Sequence, residues 1–213
     1  MTSKAAVNRI IETLKGIYPD GLCSLQYKKD YELLFAVRLS AQCTDERVNK
    51  VTPALYARFP TLESFAEADP AEVGEYIHSC GFYNGKARDI VACAQKLVNE
   101  YGGRVPTMEE LTGLPGVGRK TANLILGDVF GQPAYVCDTH CIRITGRLGI
   151  TDGSKDPLQV ERQLRERIPP KESNNFCHRM VLFGRDTCTA RSPKCEGCPL
   201  AKDCDTAKAA RRG

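Results

Sequence analysis

Four cysteines near the C-terminus form a first candidate site, one that could bind a metal ion or an iron–sulfur cluster. They follow the pattern C-x6-C-x2-C-x5-C in a segment without histidine: Cys188, Cys195, Cys198 and Cys204. Clustered cysteines in a cytosolic protein more often bind metal than form disulfides. Structural zinc often uses two separated C-x2-C pairs, and this segment has a single one. The spacing therefore favours an iron–sulfur cluster, with zinc as the alternative.

A glycine-containing connection in LTGLPGVGRKTANLILGDVF, residues 111–130, is a second candidate. Two helical patterns flank Leu114-Pro115-Gly116-Val117-Gly118, and the second helix is predicted to begin near Arg119. Exposed amides at a helix start bind phosphate, and Arg119 and Lys120 add positive charge. The combination predicts a clamp for DNA phosphates that does not depend on base sequence. A plain turn between helices is the alternative.

Lys120 and Asp138 are candidates for catalysis. A neutral lysine amine forms Schiff bases, and desolvation in a cleft would be needed to release the proton of Lys120. The alternative for Lys120 is a second phosphate contact. Asp138 precedes Thr-His-Cys-Ile-Arg-Ile, and the residues alone favour a helix N-cap. A catalytic role for this carboxylate is the alternative.

Helical periodicity must position these residues, and it predicts an all-α fold. Thr107 and Glu110 have the spacing of a capping box. Apolar residues at helical spacing mark segments at 7–14, 90–101 and 176–183, and Gly102-Gly103 is expected to end the second of them.

The composition is that of a globular chain. It has 213 residues, 42% apolar and 26% charged, with a net charge of +4 and a pI near 8.5. These values permit nucleic-acid binding without requiring it. No run of eighteen apolar residues appears, and the N-terminus lacks the apolar stretch of a secretory signal. We therefore expect a cytoplasmic protein, in the bacterial cytosol or nucleoid, with no membrane partner.

Three motifs together resemble the endonuclease III family of DNA repair glycosylases: LPGVGRKTAN, VCDTH (136–140) and the C-terminal cysteine spacing. The resemblance runs from about LSAQCTD (39–45) to Cys204. It implies a two-domain helix–hairpin–helix DNA glycosylase fold. Residues 23–133 would form a six-helix domain with the hairpin at about 107–130. Residues 1–22 with 134–213 would form a helical iron–sulfur domain, and Lys120 and Asp138 would lie on opposite sides of the intervening cleft.

The activity that the resemblance implies is that of a bifunctional DNA glycosylase and AP lyase. Lys120 would attack C1′ of an oxidised pyrimidine nucleotide in damaged double-stranded DNA, with Asp138 assisting. β-Elimination through the Schiff base would then cut the strand 3′ to the abasic site. The four cysteines would hold a [4Fe–4S] cluster that shapes residues 189–194, so that Arg191 and Lys194 face phosphates. We expect a monomer.

The target nucleotide must be flipped out of the helix, and side chains should fill the space it leaves. The resemblance assigns this role to Gln42 and Phe82, with core packing as the alternative for Phe82. The hairpin contacts to DNA would come from Leu114, Gly116, Gly118 and Arg119. Ser40, Asp45 and His140 would border the base pocket; a local cap is the alternative for Asp45 and a structural role for His140. The tail residues Lys208, Arg211 and Arg212 are expected to be solvated and to attract DNA weakly.

Two other functions stay open at this point. A monofunctional glycosylase of the same superfamily usually has serine in the position of Lys120 and lacks an LSAQCTD-type segment. A non-catalytic DNA-binding iron–sulfur module would need neither Lys120 nor Asp138. The glycine-rich hairpin disfavours a helix-turn-helix repressor.

Overall fold

The computed structural model describes residues 1–210, which form twelve α-helices and two short 3₁₀ helices without a strand. The predicted all-α class is confirmed. The chain divides into two compact units, residues 23–130 and residues 1–22 with 131–213. The predicted boundary lies three residues later, between 133 and 134. In the part of the chain described, no helix is long and apolar enough to cross a membrane.

The unit of residues 23–130 contains seven α-helices, where the resemblance implies six. They are α2 (Asp30–Ser40), α3 (Asp45–Arg58), α4 (Leu62–Ala66), α5 (Pro70–Ile77), α6 (Tyr83–Tyr101), α7 (Met108–Leu111) and α8 (Arg119–Asp128). Two of the seven, α4 and α7, are each only about one turn long. A 3₁₀ helix, His78–Cys80, joins α5 to α6.

The core of this unit forms around α6, which packs against α4 and α5, while α2 packs against α3 and α8. Phe65 lies at the centre of an aromatic cluster, 5.0 Å from the Phe35 ring and 5.1 Å from the Phe59 ring between centroids. Phe65 is fully buried. Truncation of such a ring costs about 3–5 kcal/mol, so this cluster is a main source of the unit's stability.

The ends of two helices in this unit form as the sequence predicts. Gly102 ends α6 with a left-handed φ of 60°, and the Gly103 amide donates to the Leu97 carbonyl at 2.9 Å. Glycine adopts this conformation without a Cβ clash. At the start of α7, Glu110 accepts from the Thr107 amide at 3.2 Å and completes the predicted capping box.

The other unit contains α1 (Lys4–Ile17), α9 (Thr139–Arg147), α10 (Pro157–Arg167), α11 (Ser173–Asp186) and α12 (Asp205–Ala210). A second 3₁₀ helix, Pro170–Glu172, precedes α11. Helix α11 packs against both α1 and α9. Gly184 permits the close approach to α9, because a Cβ there would lie 2.3 Å from His140 Nδ1. The fold thus places α9, which Asp138 precedes, directly against the unit's central helix.

Candidate functional site

The hairpin runs from α7 to α8 and presents both backbone and side-chain groups. Gly116 has a φ of 73°, and a Cβ built on it would lie 2.8 Å from Arg38 Cδ. Gly118 is the N-cap of α8 and supplies no side chain to bond its first amides. Lys120, in the first turn of α8, is exposed. The predicted helix start near Arg119 is confirmed, and the turn can offer amides and an amine to an anion.

Two predicted hairpin residues differ in what they can present. Leu114 is 4% exposed, so its side chain belongs to the core and any contact with DNA would come from its main chain. Arg119, by contrast, is exposed at the start of α8. The predicted desolvation of Lys120 is not visible in the structure, where this side chain faces solvent.

Gln42 and Phe82 share an unusual backbone. Among residues 1–210 they are the non-glycine residues with a left-handed φ, 55° and 49° respectively. Phe82 is 75% exposed, and Gln42 is exposed as well. The alternative of core packing for Phe82 is therefore wrong. Strained backbone of this kind is concentrated at functional positions, which supports a role for both side chains in contacting DNA.

Ser40 and Asp45 lie close to Gln42 in the chain, and both are half-buried. The Ser40 hydroxyl donates to the Val37 carbonyl at 2.9 Å, at the end of α2. The Ser24 hydroxyl donates to the Asp45 carboxylate. Thr44, not Asp45, is the N-cap of α3. The expectation that Asp45 acts as a cap is wrong because the preceding threonine takes that position.

Asp138 is the N-cap of α9, and its Oδ1 accepts from the Cys141 amide at 2.7 Å. The capping role predicted from the residues alone is confirmed. The bond fixes the orientation of a half-buried carboxylate at the positive end of a helix, where an anion is stabilised. A carboxylate held in this way is suited to face a developing cation, so capping and catalysis are compatible.

Two thiols flanking Asp138 had no role predicted from the sequence, and the structure gives them one. Hydrogen bonds with the Cys137 and Cys177 thiols, together with burial, raise the pKa of Cys141 well above its ordinary value. Cys141 is fully buried. Cys141 therefore stays protonated, and Cys137 and Cys177 are buried beside it as small apolar groups.

His140 belongs to α9, and its half-buried side chain faces α11. Its Nδ1 is 3.2 Å from Arg143 Nη2, and the same Arg143 nitrogen donates to the Cys188 carbonyl at 3.0 Å. Gly184 packs against the His140 ring, which supports the alternative predicted for this residue, a structural role. A place at the base pocket stays a prediction.

The cysteine-rich segment lines one small cavity. Its lining includes Cys188, Cys195, Cys198 and Cys204. Within residues 1–210, no three or more His, Cys, Asp or Glu side chains are close enough to hold a single metal ion. A cluster separates its thiolates with iron and sulfide, and four sulfurs around one cavity fit that arrangement.

Arg147 connects α9 to this segment. Its guanidinium donates to the Thr189 carbonyl at 2.7 Å, to the Ala190 carbonyl at 2.9 Å and to Cys188 Sγ at 3.3 Å. A donor to a ligating sulfur stabilises thiolate, which suits a cluster ligand. Sequence reasoning missed Arg143 and Arg147. The available signal was their spacing of four residues from each other, which puts both on one face of α9.

The basic side chains near the C-terminus differ in exposure. Arg191 and Lys194 are exposed on the loop between Cys188 and Cys195, where phosphate could reach them. Lys208 is half-buried and pairs with Asp205 at 3.8 Å, so it is not a freely solvated side chain. The predicted tail residues Arg211 and Arg212 lie outside the described residues.

Two family models and a solved structure show the class of protein to which the chain belongs. The model of the HhH-GPD superfamily of base excision DNA repair proteins matches residues 35–170. The model of the iron–sulfur binding domain of endonuclease III matches residues 188–204. A solved thermostable thymine-DNA glycosylase, 21% identical, has the same fold with a TM-score of 0.87 over 96% of this chain and 98% of its own.

Relatives with higher sequence identity show the family within that class. Endonuclease III of Synechocystis sp. is 47% identical over 98% of this chain and 95% of its own length. Endonuclease III of Escherichia coli is 38% identical over 95% of this chain and 96% of its own. A structure of a trapped endonuclease III–DNA covalent intermediate is 40% identical, with a TM-score of 0.92 and full coverage of both chains. This chain belongs to the endonuclease III family; it is a DNA glycosylase and AP lyase of base excision repair and carries a [4Fe–4S] cluster.

Proposed function

We propose that this enzyme excises oxidised pyrimidines from damaged double-stranded DNA and cuts the strand on the 3′ side of the abasic site, with Lys120 as nucleophile. The observation that carries the assignment is the position of Lys120. It is exposed in the first turn of α8, directly after an N-cap without a side chain. The amine is then available to attack the sugar, and helix amides that have no side-chain cap are available to a phosphate of the same DNA strand.

The chemical steps follow from that amine. The neutral Lys120 Nζ attacks C1′ of the flipped nucleotide, and the base departs with the glycosidic electron pair. The sugar ring opens to give a protonated Schiff base between C1′ and Nζ. This iminium acidifies the C2′ proton, and loss of that proton expels the 3′ phosphate by β-elimination. Hydrolysis of the imine returns the free lysine.

Asp138 acts on the charge that develops during these steps. Its carboxylate is held by the Cys141 amide and stabilises the cationic sugar as the base leaves. It then accepts and returns protons during formation of the imine. Lys120 is exposed, so its amine is open to the sugar of a bound nucleotide.

The cluster supports DNA binding and not the chemistry, because glycosidic cleavage and β-elimination transfer no net electrons. When bound, it crosslinks the four thiolates and fixes the loop that they enclose. Cys188, Cys195, Cys198 and Cys204 are the proposed ligands, and Arg191 and Lys194 on that loop are the proposed phosphate contacts. We place the enzyme in the bacterial cytosol or nucleoid, where it acts as a monomer.

Borohydride trapping tests the proposal. Purified enzyme is incubated with a duplex that contains one thymine glycol, and sodium borohydride is added. We expect a covalent protein–DNA adduct that Lys120→Gln abolishes. Arg119→Gln is the matched control: it removes the neighbouring positive charge, and it should weaken binding but preserve the adduct.

The other outcomes separate the alternatives. A trap that survives Lys120→Gln places the nucleophile at another residue. Base release without any trap indicates a monofunctional glycosylase. Tight DNA binding by cluster-loaded protein without base release or a trap indicates a non-catalytic module.

A further inference from the structure

Lys86 is a buried lysine in the second turn of α6, with 1% of its surface exposed. Its ammonium donates to the Leu39 carbonyl at 2.8 Å and to the Cys80 carbonyl at 2.9 Å. A charged group in the interior is expensive unless it is fully hydrogen-bonded, and an apolar side chain could fill the same volume at lower cost. The two hydrogen bonds to carbonyls therefore explain why a lysine, and not an apolar residue, occupies this position.

The two carbonyls belong to the segments that lead into Gln42 and Phe82. Leu39 lies in the last turn of α2, three residues before Gln42. Cys80 ends the 3₁₀ helix, two residues before Phe82. Lys86 thus links the two segments that carry Gln42 and Phe82, the two exposed residues with left-handed φ values.

The other main-chain hydrogen bonds here stay within one segment, such as those from the Cys43 amide to Ser40 and from the Lys86 amide to Phe82, each at 3.1 Å. The Ala41 amide donates to Arg38 and the Gly81 amide to His78, each at 3.4 Å. A hydrogen bond also joins the Cys43 and Cys80 thiols, so the residue after Gln42 touches the residue that Lys86 holds. The short bonds from Lys86 are accordingly the strongest link between the two segments.

We propose that Lys86 is a positioning residue that sets the separation of Gln42 and Phe82, so that both enter the space left by a flipped nucleotide. The inference rests on the proposed function, since it assumes that these two side chains contact DNA. Lys86 itself touches neither substrate nor reacting atoms. Its contribution is to hold two strained loops in the geometry that flipping requires.

The test begins with the loops alone. Gln42→Ala and Phe82→Ala are compared with the unaltered enzyme by the fluorescence of 2-aminopurine placed beside a thymine glycol, and by the single-turnover rate of base excision. We expect both variants to reduce flipping. If neither does, the proposed role of these side chains fails, whatever Lys86 does.

Lys86→Met is then measured alone and combined with Phe82→Ala. We expect it to lower the excision rate about tenfold in the unaltered enzyme and less than about twofold in the Phe82→Ala background, because residues that act together are not additive. Amide exchange at Ala41, Cys43 and Gly81 should become faster without DNA. Tyr56→Phe is the matched control, since it removes another donor to a main-chain carbonyl, that of Glu32, in the same unit.

Two results would overturn the role of Lys86. One is equal loss in both backgrounds, which indicates an effect unrelated to Phe82. The other is an equal loss from Tyr56→Phe, which indicates general destabilisation. If Lys86→Met does not fold, Lys86→Gln takes its place in the same cycle, because its shorter amide keeps donors but cannot hold both carbonyls.

Discussion

Substitution of Gly116 by alanine is expected to damage the hairpin in two ways. Gly116 has a φ of 73°, which an L-residue adopts with strain. The new Cβ would also lie 2.8 Å from both Cδ and Nε of Arg38 and 3.2 Å from Asp89 Cβ. Arg38 Nε donates to Asp89 Oδ2 at 2.7 Å, so displacing Arg38 disturbs an ion pair under the turn.

The magnitude follows from these two effects. The left-handed conformation costs roughly 1–2 kcal/mol for a residue with a Cβ. The ion pair, whose side chains are 28% and 32% exposed, adds up to about 1 kcal/mol if it is lost. Gly116→Ala should therefore destabilise the protein by about 1–3 kcal/mol. In a chain of this size that lowers the melting temperature by about 2–12 °C.

The assay pairs thermal melting with DNA affinity, and Gly118→Ala is the control. Gly118 has a φ of −97°, and a Cβ there meets no atom within 4 Å. Its substitution should cost less than about 1 kcal/mol of stability. If DNA approaches the Gly118 amide, Gly118→Ala weakens binding with little change in melting, whereas Gly116→Ala weakens both.

Equal melting temperatures for Gly116→Ala and the unaltered enzyme would show that the turn does not have this conformation. A Gly118→Ala variant with unchanged affinity for a thymine glycol duplex, measured in the Lys120→Gln background to prevent turnover, would remove the hairpin backbone from the DNA interface.

Three further predictions concern the unit that contains Asp138. Arg147→Met should speed the loss of the cluster's visible absorbance under a chelator, because the cysteine-rich loop loses three hydrogen bonds; unchanged decay would show that Arg147 does not hold the loop. Gly184→Ala should lower the melting temperature by an amount equivalent to about 1–3 kcal/mol, since its Cβ would overlap the His140 ring. A hydrogen bond from Arg9 lowers the pKa of Asp203, so this pair stabilises the fold above the unfolded pKa of about 3.9 and loses its effect as the pH falls through the lower folded value. Arg9→Gln should therefore reduce stability in urea at pH 7, the loss should shrink as the pH is lowered toward the folded pKa of Asp203, and a loss independent of pH would contradict this linkage.

Local signals in the sequence were sufficient for several helix ends. The capping box at Thr107 and Glu110, the stop at Gly102 and the start of α8 near Arg119 all form as predicted. Each depends on residues within one turn of the boundary, and such contacts form in any tertiary context. The single-turn helix α4 was not predicted, because one turn is too short to establish a period.

Exposure of single side chains was harder to predict. Phe82 is apolar, and sequence alone left core packing as an alternative; the structure exposes 75% of it. Leu114, assigned to the DNA surface by resemblance, is buried. Lys86 shows the opposite case: a lysine on the apolar face of α6, in step with Ile90 and Ala94, was a visible irregularity that sequence reasoning did not use.

The helical class and the cysteine motif follow from residue type and short spacing, so the sequence alone predicts them; the catalytic role of Asp138 came only from the family resemblance, because its residues alone favour an N-cap. The long-range contacts that hold the loops of the candidate site in place are visible only in the tertiary structure. The carbonyls bridged by Lys86 are 41 residues apart in the chain, and Arg147 reaches Thr189 across 42. Such contacts depend on how helices pack, which is a sum over many distant side chains and leaves no local pattern.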